Sequence, residues 1–441
     1  MLHIGIDDTD SPKGGCTTYI AALLVERLLG LGARFIDYPN LVRLNPNVPW
    51  KTRGNGAVCL CLECDPLLEG DVKSAVIGTV ESHAEFGCDN TNPGIVFHAG
   101  EITEPLRRFA RSVIRGVVAL DEAETLIEGY CASAIGYKNR RGLIGALAAV
   151  GETLEGDHTY ELLAYRTLGN RRTPRRIDAA SVMEMDEETR GKTFNNFDAE
   201  AGRPLIAPHG PDPVLFGVRG ESAEAVHRAA MMVKVDEIVE RWVIFRTNQG
   251  TDAHLRRLPN ISDLEAYSPA IVVGEVAAPP RTLKGGHVIL PLGDEKGRID
   301  CAAYEPTSRF REIVRRLIPG DVVRAYGGIR APDRVGRMTL NLEKLEVLRL
   351  TSEVRFVNPL CPDCGGGMES MGRGKGYRCR RCGFRGPDLT KRRVEVDREL
   401  SPGLYLPPPR AQRHLTKPLG RYGREKTRYA SAELFEPWHW P

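Results

Sequence analysis

Residues 4–19 read IGIDDTDSPKGGCTTY and place three carboxylates, those of Asp7, Asp8 and Asp10, within four positions of the chain. The apolar residues before the acids predict a buried strand, and residues 17–32 predict a helix with its apolar positions on one face. This order indicates an α/β domain. Three acids so close together repel one another unless a cation lies among them, and Mg²⁺ is the cation that favours such oxygen ligands.

The residues after the acids predict a binding site for nucleotide phosphates. Gly14 and Gly15 can expose backbone N–H groups, and Lys13 adds a positive charge. The helix that begins near Thr17 or Thr18 directs its positive end toward the same loop. Together these features favour a metal–nucleotide site that works by positioning and electrostatics. The sequence contains no G-x-x-x-x-G-K-[ST], which excludes an ordinary P-loop.

Two other interpretations of the acidic loop stay open. The aspartates can cap a turn through local side-chain hydrogen bonds, with no metal involved. Alternatively, the D-x-D pattern can begin a phosphatase of the haloacid dehalogenase type with Asp8 as its nucleophile. Pro12 stands where such sites usually carry Thr or Val, which weakens that second interpretation.

Length and composition indicate an ordinary soluble protein of several domains. The chain has 441 residues, of which 41% are hydrophobic and 27% charged, and no stretch of eighteen apolar residues occurs. We therefore expect a cytoplasmic protein with no membrane partner. Eleven cysteines, four of them in two CxxC pairs, favour metal binding and free thiols over a disulfide framework.

Four units follow one another along the sequence. Residues 1–128 form the α/β domain, and residues 129–265 show two β-α-β halves around an insertion at 167–212, which suggests a ferredoxin-like domain. Residues 266–352 contain five short strands with a helix after the third, the order of an OB-fold barrel. Residues 353–441 hold the CxxC pairs and a Pro-rich basic tail. The fold class is therefore multidomain, α/β and α+β.

Two cysteine pairs near the end of the chain predict a structural zinc site. Cys361 and Cys364 are separated from Cys379 and Cys382 by fourteen residues rich in glycine. Four thiolates in two tight pairs close a tetrahedral Zn²⁺ site and leave no open position for chemistry. Neither pair heads a long apolar helix, which disfavours a redox role.

The basic charge around the cysteines predicts a nucleic-acid partner. From Arg355 to Arg428 the chain carries 18 Lys and Arg against 7 Asp and Glu. Neither a helix-turn-helix nor a basic zipper is visible, so we expect RNA and no DNA. Tyr405, Tyr422 and Tyr429 are candidates for stacking on bases, although each can also be an ordinary packing residue.

Four segments carry a resemblance to a known family. They are IGIDDTDSPKGGCTTY (4–19), GYKNRRGLIGALAAVG (136–151), PHGPDPVLFGVRGE (208–221) and IFRTNQGTDAH (244–254). The chain resembles the archaeal tRNA(Ile) 2-agmatinylcytidine synthetases over nearly its whole length. The resemblance implies a C–N ligase that uses ATP to attach agmatine to C2 of the wobble cytidine of tRNA(Ile) with a CAU anticodon. A phosphorylated cytidine is the implied intermediate, and the product reads AUA.

The resemblance also implies an atypical kinase domain and roles for individual residues. Those implied as catalytic, the aspartates as Mg²⁺ ligands and the threonine as a phosphoryl carrier or contact, are Asp7, Asp8, Asp10 and Thr18. Those expected to hold ATP are Lys13, Gly14, Gly15 and Thr17. Those expected to contact the substrates are Arg140, Arg141, Gly142, Gln249 and Asp252. Without the resemblance, a phosphohydrolase using Asp8 and a non-catalytic RNA-binding factor both stay open.

Overall fold

The computed structural model describes residues 1–52, 54–333, 336–427 and 433–441. The N-terminal part of the chain forms β1 (Leu2–Asp7), α1 (Thr17–Gly30), β2 (Arg34–Phe35), β3 (Asn40–Arg43), β4 (Gly56–Glu63), α2 (Glu69–His83), β5 (Gly94–Ala99), α3 (Glu104–Arg115), α4 (Leu120–Tyr130), β6 (Ser133–Gly136) and α5 (Gly142–Gly151). The next part forms β7 (Thr159–Arg166), α6 (Ala179–Glu188), β8 (Phe197–Asp198), β9 (Arg203–Pro204), β10 (Val214–Gly220), α7 (Ala223–Met232) and β11 (Val239–Thr247).

One sheet joins these two parts of the chain. Its strand order is β10-β7-β11-β3-β4-β1-β5-β6, with β2 added on β4 and β25 (His439–Trp440) added on β11. Strand β1 lies between β4 and β5 and pairs antiparallel with both. The parallel pairing of β11 with β3 connects the two halves of the sheet.

Helices cover both faces of β1 and thereby fix the position of its end. On one face, Ile20, Leu24 and Leu28 of α1 are fully buried, as the periodicity of the sequence predicts. On the other face, α5 presses so closely on the strand that a Cβ at Gly5 would overlap the backbone of Ala146. The acidic residues that follow β1 are therefore held between two packed helices.

The prediction that β6, α5 and β7 form the first half of the ferredoxin-like domain was wrong. Strand β6 pairs antiparallel with β5 at the edge of the sheet, and α5 packs on β1, β4 and β5. Nine of the ten residues of α5 are buried, and so apolar a helix needs cover on every side, which the sheet and α3 provide. The ferredoxin-like unit instead uses β7, α6, β10, α7 and β11, so the segment 167–212 contributes one of its helices. The boundary between 1–128 and 129–265 stays a prediction.

The OB-like barrel is confirmed with its predicted order. It contains β12 (Arg256–Arg257), β13 (Pro269–Val276), β14 (Arg281–Thr282), β15 (Val288–Gly293), β16 (Arg298–Ala303), α8 (Arg309–Arg315), β17 (Val322–Arg330) and β18 (Thr339–Arg349). The strands follow the order β12-β13-β17-β18-β16-β15-β14, and pairing of β13 with β15 closes the barrel. The last part of the chain adds β19 (Glu353–Val357), β20 (Met368–Ser370), β21 (Tyr377–Cys379), β22 (Arg385–Gly386), β23 (Arg392–Val396) and β24 (Gly403–Tyr405) before β25.

The basic tail packs on the rest of the protein over much of its described length. Leu415, Thr416 and Arg421 are buried, and Trp438 packs its ring 5.4 Å from that of Phe35. Within the described residues, every helix is too short or too polar to span a lipid bilayer.

The three tyrosines predicted as candidates for base stacking lie in different surroundings. Tyr405 lies in β24, which pairs with β18, and its hydroxyl donates to the carbonyl of Ser401 at 2.7 Å. The Tyr422 hydroxyl accepts a hydrogen bond from Lys344 at 2.9 Å. Tyr429 lies outside the described residues. The hydroxyls of the first two are bound by the protein itself, and base stacking by their rings stays a prediction.

Candidate functional site

A cleft of about 630 Å³ opens where β1 ends. The end of β1 and the start of α1 form one wall. Strands β7 and β10 form another, and residues 409–414 of the tail close the side toward the barrel. Segments from the whole length of the chain therefore meet around one space.

The Asp7 carboxyl lies in the most constrained position of the cleft. Asp7 is the last residue of β1, and a Cβ at Gly145 of α5 would overlap its carboxylate. Burial, and then the charge of Asp8, raise the pKa of Asp7 well above its ordinary value. A cation added beside Asp7 would favour its ionised form.

The Asp8 carboxylate has a protein cation beside it. Arg141, which precedes α5, places its guanidinium 2.8 Å from Asp8 and also donates to the carbonyl of Asn90 at 2.7 Å. Burial raises the pKa of Asp8 although the charge of Arg141 opposes this shift. Asp8 has a φ of 56°, an uncommon conformation outside glycine that occurs often at functional sites.

A tight turn carries the chain from the acids to α1. The backbone N–H of Ser11 donates to the carbonyl of Gly14 at 2.8 Å, and Thr91 donates through its hydroxyl to the carbonyl of Asp10 at 2.6 Å. Gly15 has a φ of 74°, and a Cβ there would lie 2.7 Å from the Glu85 side chain, so only glycine fits. The turn leaves Lys13 exposed.

The first turn of α1 presents two threonines near the cleft. The Thr17 hydroxyl lies 2.9 Å from that of Thr9, which fixes its rotamer. The Thr18 hydroxyl lies 3.0 Å from the thiol of Cys16. Both threonines line the cleft at the positive end of the helix, where a phosphate is stabilised.

The structure brings together most, but not all, of the residues predicted for the site. Those that line the cleft are Asp7, Asp8, Asp10, Thr17, Thr18, Arg141 and Gln249. Predicted residues that lie outside the lining among the described residues are Lys13, Gly14, Gly15, Arg140, Gly142 and Asp252. The functional assignment of both groups stays a prediction.

Three of the residues outside the lining have evident structural contacts. Arg140 forms an ion pair with Glu124 at 3.0 Å. At Gly142 a Cβ would overlap the backbone of Gly94, so this glycine permits α5 to approach β5. Asp252 binds the buried ammonium group of Lys344 and thereby attaches the segment after β11 to the barrel.

A cluster of charged residues on the opposite wall was missed by sequence reasoning. Glu161 of β7 is buried and accepts hydrogen bonds from Arg219 at 3.2 Å and from Arg43 at 3.4 Å. Gln249 donates to the same carboxylate and lies 3.0 Å from the ring of His414. One signal could have found part of this cluster, because Arg219 is the single charge of β10 and Glu161 is the single acid of β7.

The opposite wall is strongly cationic. The charge of Arg43, then burial, and then Arg219 lower the pKa of His414 well below its ordinary value. The cleft therefore has an acidic end suited to a metal ion and a cationic wall suited to phosphate groups.

The four predicted zinc ligands form one compact cluster. The thiol sulfurs of Cys361, Cys364, Cys379 and Cys382 all lie within 4.8 Å of one another. Two of the separations are 3.4 Å, between Cys361 and Cys382, and 3.5 Å, between Cys364 and Cys379. Four thiolates about 2.3 Å from a central Zn²⁺ are separated by similar distances, so the cluster fits a structural zinc site.

Three family models match the sequence. The TiaS TCKD domain matches residues 3–84, the TiaS FLD domain matches residues 140–254, and the TiaS C-terminal zinc ribbon domain matches residues 358–400. These matches begin with the strand before the aspartates and end after the cysteine cluster.

Relatives and solved structures resemble the chain over almost its full length. The tRNA(Ile) 2-agmatinylcytidine synthetase TiaS of Methanosarcina mazei is 45% identical, over 97% of this chain and 99% of its own. The enzyme of the same name from Methanocaldococcus jannaschii is also 45% identical, over 95% of this chain and 98% of its own.

Among solved structures, a complex of TiaS with its isoleucine tRNA and ATP is 41% identical with a TM-score of 0.85 and covers 99% of both chains. A complex of TiaS with the same tRNA, AMPCPP and agmatine is 41% identical with a TM-score of 0.84, over 95% of this chain and 97% of the other.

Proposed function

The chain belongs to the TiaS family of tRNA(Ile) 2-agmatinylcytidine synthetases, and we propose that it uses ATP to attach agmatine to C2 of the wobble cytidine of the CAU-anticodon tRNA(Ile). The family resemblance seen in the sequence is thereby confirmed. The protein is a ligase with ATP, agmatine and this tRNA(Ile) as its substrates, and the phosphohydrolase and non-catalytic alternatives are set aside. We place the reaction in the cytoplasm, an assignment supported by the eleven cysteines, none of which forms a disulfide in the structure.

One observation carries the proposal for the site. Asp7, Asp8 and Asp10 share a single cleft with the start of α1 and with a cationic wall from distant parts of the chain. Phosphoryl transfer depends on such a combination, because a metal ion and positive groups must hold the triphosphate while the acceptor approaches.

The chemistry of cytosine explains why ATP is needed. C2 carries a carbonyl oxygen, which is a poor leaving group. We propose that a phosphoryl group from ATP is first transferred to this oxygen. The amine of agmatine then forms the new C–N bond, the C–O bond breaks, phosphate leaves, and the amine loses a proton.

Three aspartates and one threonine have proposed roles at the acidic end. Asp7, Asp8 and Asp10 offer only oxygen donors, and a cation would favour the ionised form of buried Asp7, so this end fits Mg²⁺. When bound, Mg²⁺ neutralises the charge of the triphosphate. Thr18 accepts or contacts a phosphoryl group at the positive end of α1. Arg141 lies close enough to Asp8 to meet a phosphate oxygen that enters the same space.

Agmatine contacts are proposed at Gln249, which lines the cleft and donates to the buried carboxylate of Glu161. A guanidinium requires oxygen acceptors, and the side-chain oxygen of Gln249 lies 3.0 Å from Nδ1 of His414. We keep Gln249 as the candidate for this contact. Asp252 is a weaker candidate, because its carboxylate binds Lys344 and the backbone N–H of Lys417 at 2.7 Å.

Labelled agmatine tests the proposed reaction directly. Purified protein with ATP and the CAU-anticodon tRNA(Ile) should incorporate the label at the wobble position, and omission of any one substrate should abolish incorporation. A transcript of the same tRNA with uridine at the wobble position is the matched control and should stay unlabelled. Phosphate release without RNA and without incorporation would contradict the proposal.

A further inference from the structure

A second pocket of about 270 Å³ adjoins the cleft on the side of the tail. We call it the junction pocket, and its charged and imidazole-bearing lining residues are Arg43, Lys51, Arg413 and His414. Among the described residues, none of the three site aspartates and neither threonine of α1 lines it. Arg43, Lys51, Arg413 and His414 also line the cleft, so the junction pocket continues the cleft on the side away from its aspartates.

The polar groups of the junction pocket are mostly hydrogen-bond donors. Lys51 donates to the carbonyl of Pro46, and Arg413 donates to the side-chain oxygen of Asn47 at 2.7 Å. The Nε of Arg43, which lines the pocket, is buried and has no hydrogen-bond partner among the residues that the structure describes, and the same holds for the Nδ2 of Asn47 in the adjoining loop. Buried donors without acceptors carry a free-energy cost that a bound acceptor would remove.

Positive charge in the junction pocket exceeds its neutralisation by nearby acids. Glu161 forms ion pairs with both Arg43 and Arg219. Glu343 lies 3.3 Å from Arg413 and also pairs with His254. Burial and the charge of Arg413 lower the pKa of Lys51. Several cations close together, with hydrogen-bond donors that lack acceptors, are typical of an anion-binding site.

The junction pocket lies where the N-terminal domain, the barrel and the tail meet. Asn45 donates to the carbonyl of Tyr267, at the start of the barrel, at 2.9 Å. A Cβ at Gly328 of β17 would overlap Asn47, so the loop that lines the pocket packs directly on the barrel. Glu343 of β18 holds Arg413 of the tail. A ligand in the pocket would contact the N-terminal domain and the tail at the point where both pack on the barrel.

We propose that the junction pocket binds a phosphate group, and that this group is a phosphodiester of the RNA beside the nucleotide that enters the cleft. The location favours RNA over ATP, because none of the three aspartates lines the pocket and the loop that lines it packs on the barrel. The identity of the RNA rests on the proposed function, whereas the anion site rests on the donors and charges themselves.

Binding of the CAU-anticodon tRNA(Ile) to the intact protein at several salt concentrations tests the site without any chemistry. Each phosphate contact adds roughly 0.7 to 0.9 to the slope of log affinity against log salt. Lys51→Gln should therefore make the slope shallower by about 1 and weaken binding several-fold near 0.1 M salt. Lys51→Arg, which keeps the charge, should restore both quantities.

Arg34→Gln is the matched control, since Arg34 lies beside Glu63 at the far end of β4 from the pocket. It should leave the tRNA slope unchanged. A raised dissociation constant for ATP with an unchanged tRNA slope in Lys51→Gln would support the anion site but overturn the RNA assignment. Unchanged affinity for both substrates would overturn the site itself. Because binding is measured without agmatine, either result is distinct from a failure of the ligase reaction.

Discussion

The aspartate loop at the cleft, residues 7–18, and the tail arginines Arg410 and Arg421 differ in how their charges are compensated. In the first, burial and the charge of Asp8 hold the pKa of Asp7 well above its ordinary value, so the acids lack full compensation. In the tail, Arg421 is buried between Asp157 and Glu221, and Arg410 binds Asp198. The comparison shows that uncompensated charge marks a site for a ligand, whereas matched charge holds the fold together.

The strongest test of this comparison removes charge from the aspartate loop. Asp7→Asn keeps the shape of the side chain and should lower agmatine incorporation by at least about 1,000-fold, since positioning of the triphosphate is lost. Binding of the tRNA(Ile) substrate should change by less than about twofold, because Asp7 is proposed to act on the metal and the triphosphate and affinity for RNA comes mainly from contacts of Lys and Arg with phosphates. Both quantities are measured with labelled substrates. Asp65→Asn, at an exposed position beyond β4, is the control and should keep full activity.

The opposite effect is expected when charge is removed from the tail. Arg421→Gln leaves Asp157 and Glu221 without their buried partner and should lower the free energy of unfolding by roughly 3 kcal/mol. Arg34→Gln breaks an ion pair whose arginine side chain is 71% exposed and should cost less than about 0.5 kcal/mol. Denaturant unfolding followed by fluorescence measures both. Equal losses of unfolding free energy in the two variants would contradict the claim that matched charge in the tail holds the fold together.

Loss of zinc should affect RNA binding more than chemistry. Cys379→Ser removes one of four clustered thiolates and should abolish zinc binding, which a colorimetric assay measures. The ribbon then loses its shape, and affinity for the tRNA(Ile) substrate should fall by about tenfold. Normal affinity in the zinc-free variant would show that the ribbon does not contact the RNA.

The smallest effect concerns acid stability at the contact between barrel and tail. Burial alone would raise the pKa of Glu343, but His254 and Arg413 beside it outweigh burial and lower this pKa from 4.5 to about 2. Ionised Glu343 therefore stabilises the fold above about pH 4.5, and this contribution is lost as the pH falls toward 2. Glu343→Gln should be less stable than the parent at pH 7 and equally stable near pH 2. A constant difference across the range would contradict this account.

The aspartate loop could be predicted because its residues are neighbours in sequence. Asp7, Asp8, Asp10 and Thr18 lie within twelve positions, and a strand followed by a helix brings them to one place. The five barrel strands and the cysteine pairs were predictable for the same reason, since local alternation and spacing define them.

The cationic wall could not be predicted, because its contacts join remote parts of the chain. Gln249 and His414 are 165 positions apart, and Arg43 and Glu161 are 118 apart. No local pattern records such pairs. The position of α5 was misjudged for a related reason: the order β-α-β is local, but which strand the helix covers depends on the whole sheet.

A crystal structure of this protein with the CAU-anticodon tRNA(Ile), Mg²⁺ and a non-hydrolysable ATP analogue tests the central claim most directly. The account predicts the triphosphate between Asp8 and the start of α1, with Mg²⁺ on the aspartate oxygens. Nucleotide density elsewhere, with the aspartate loop empty, would contradict it.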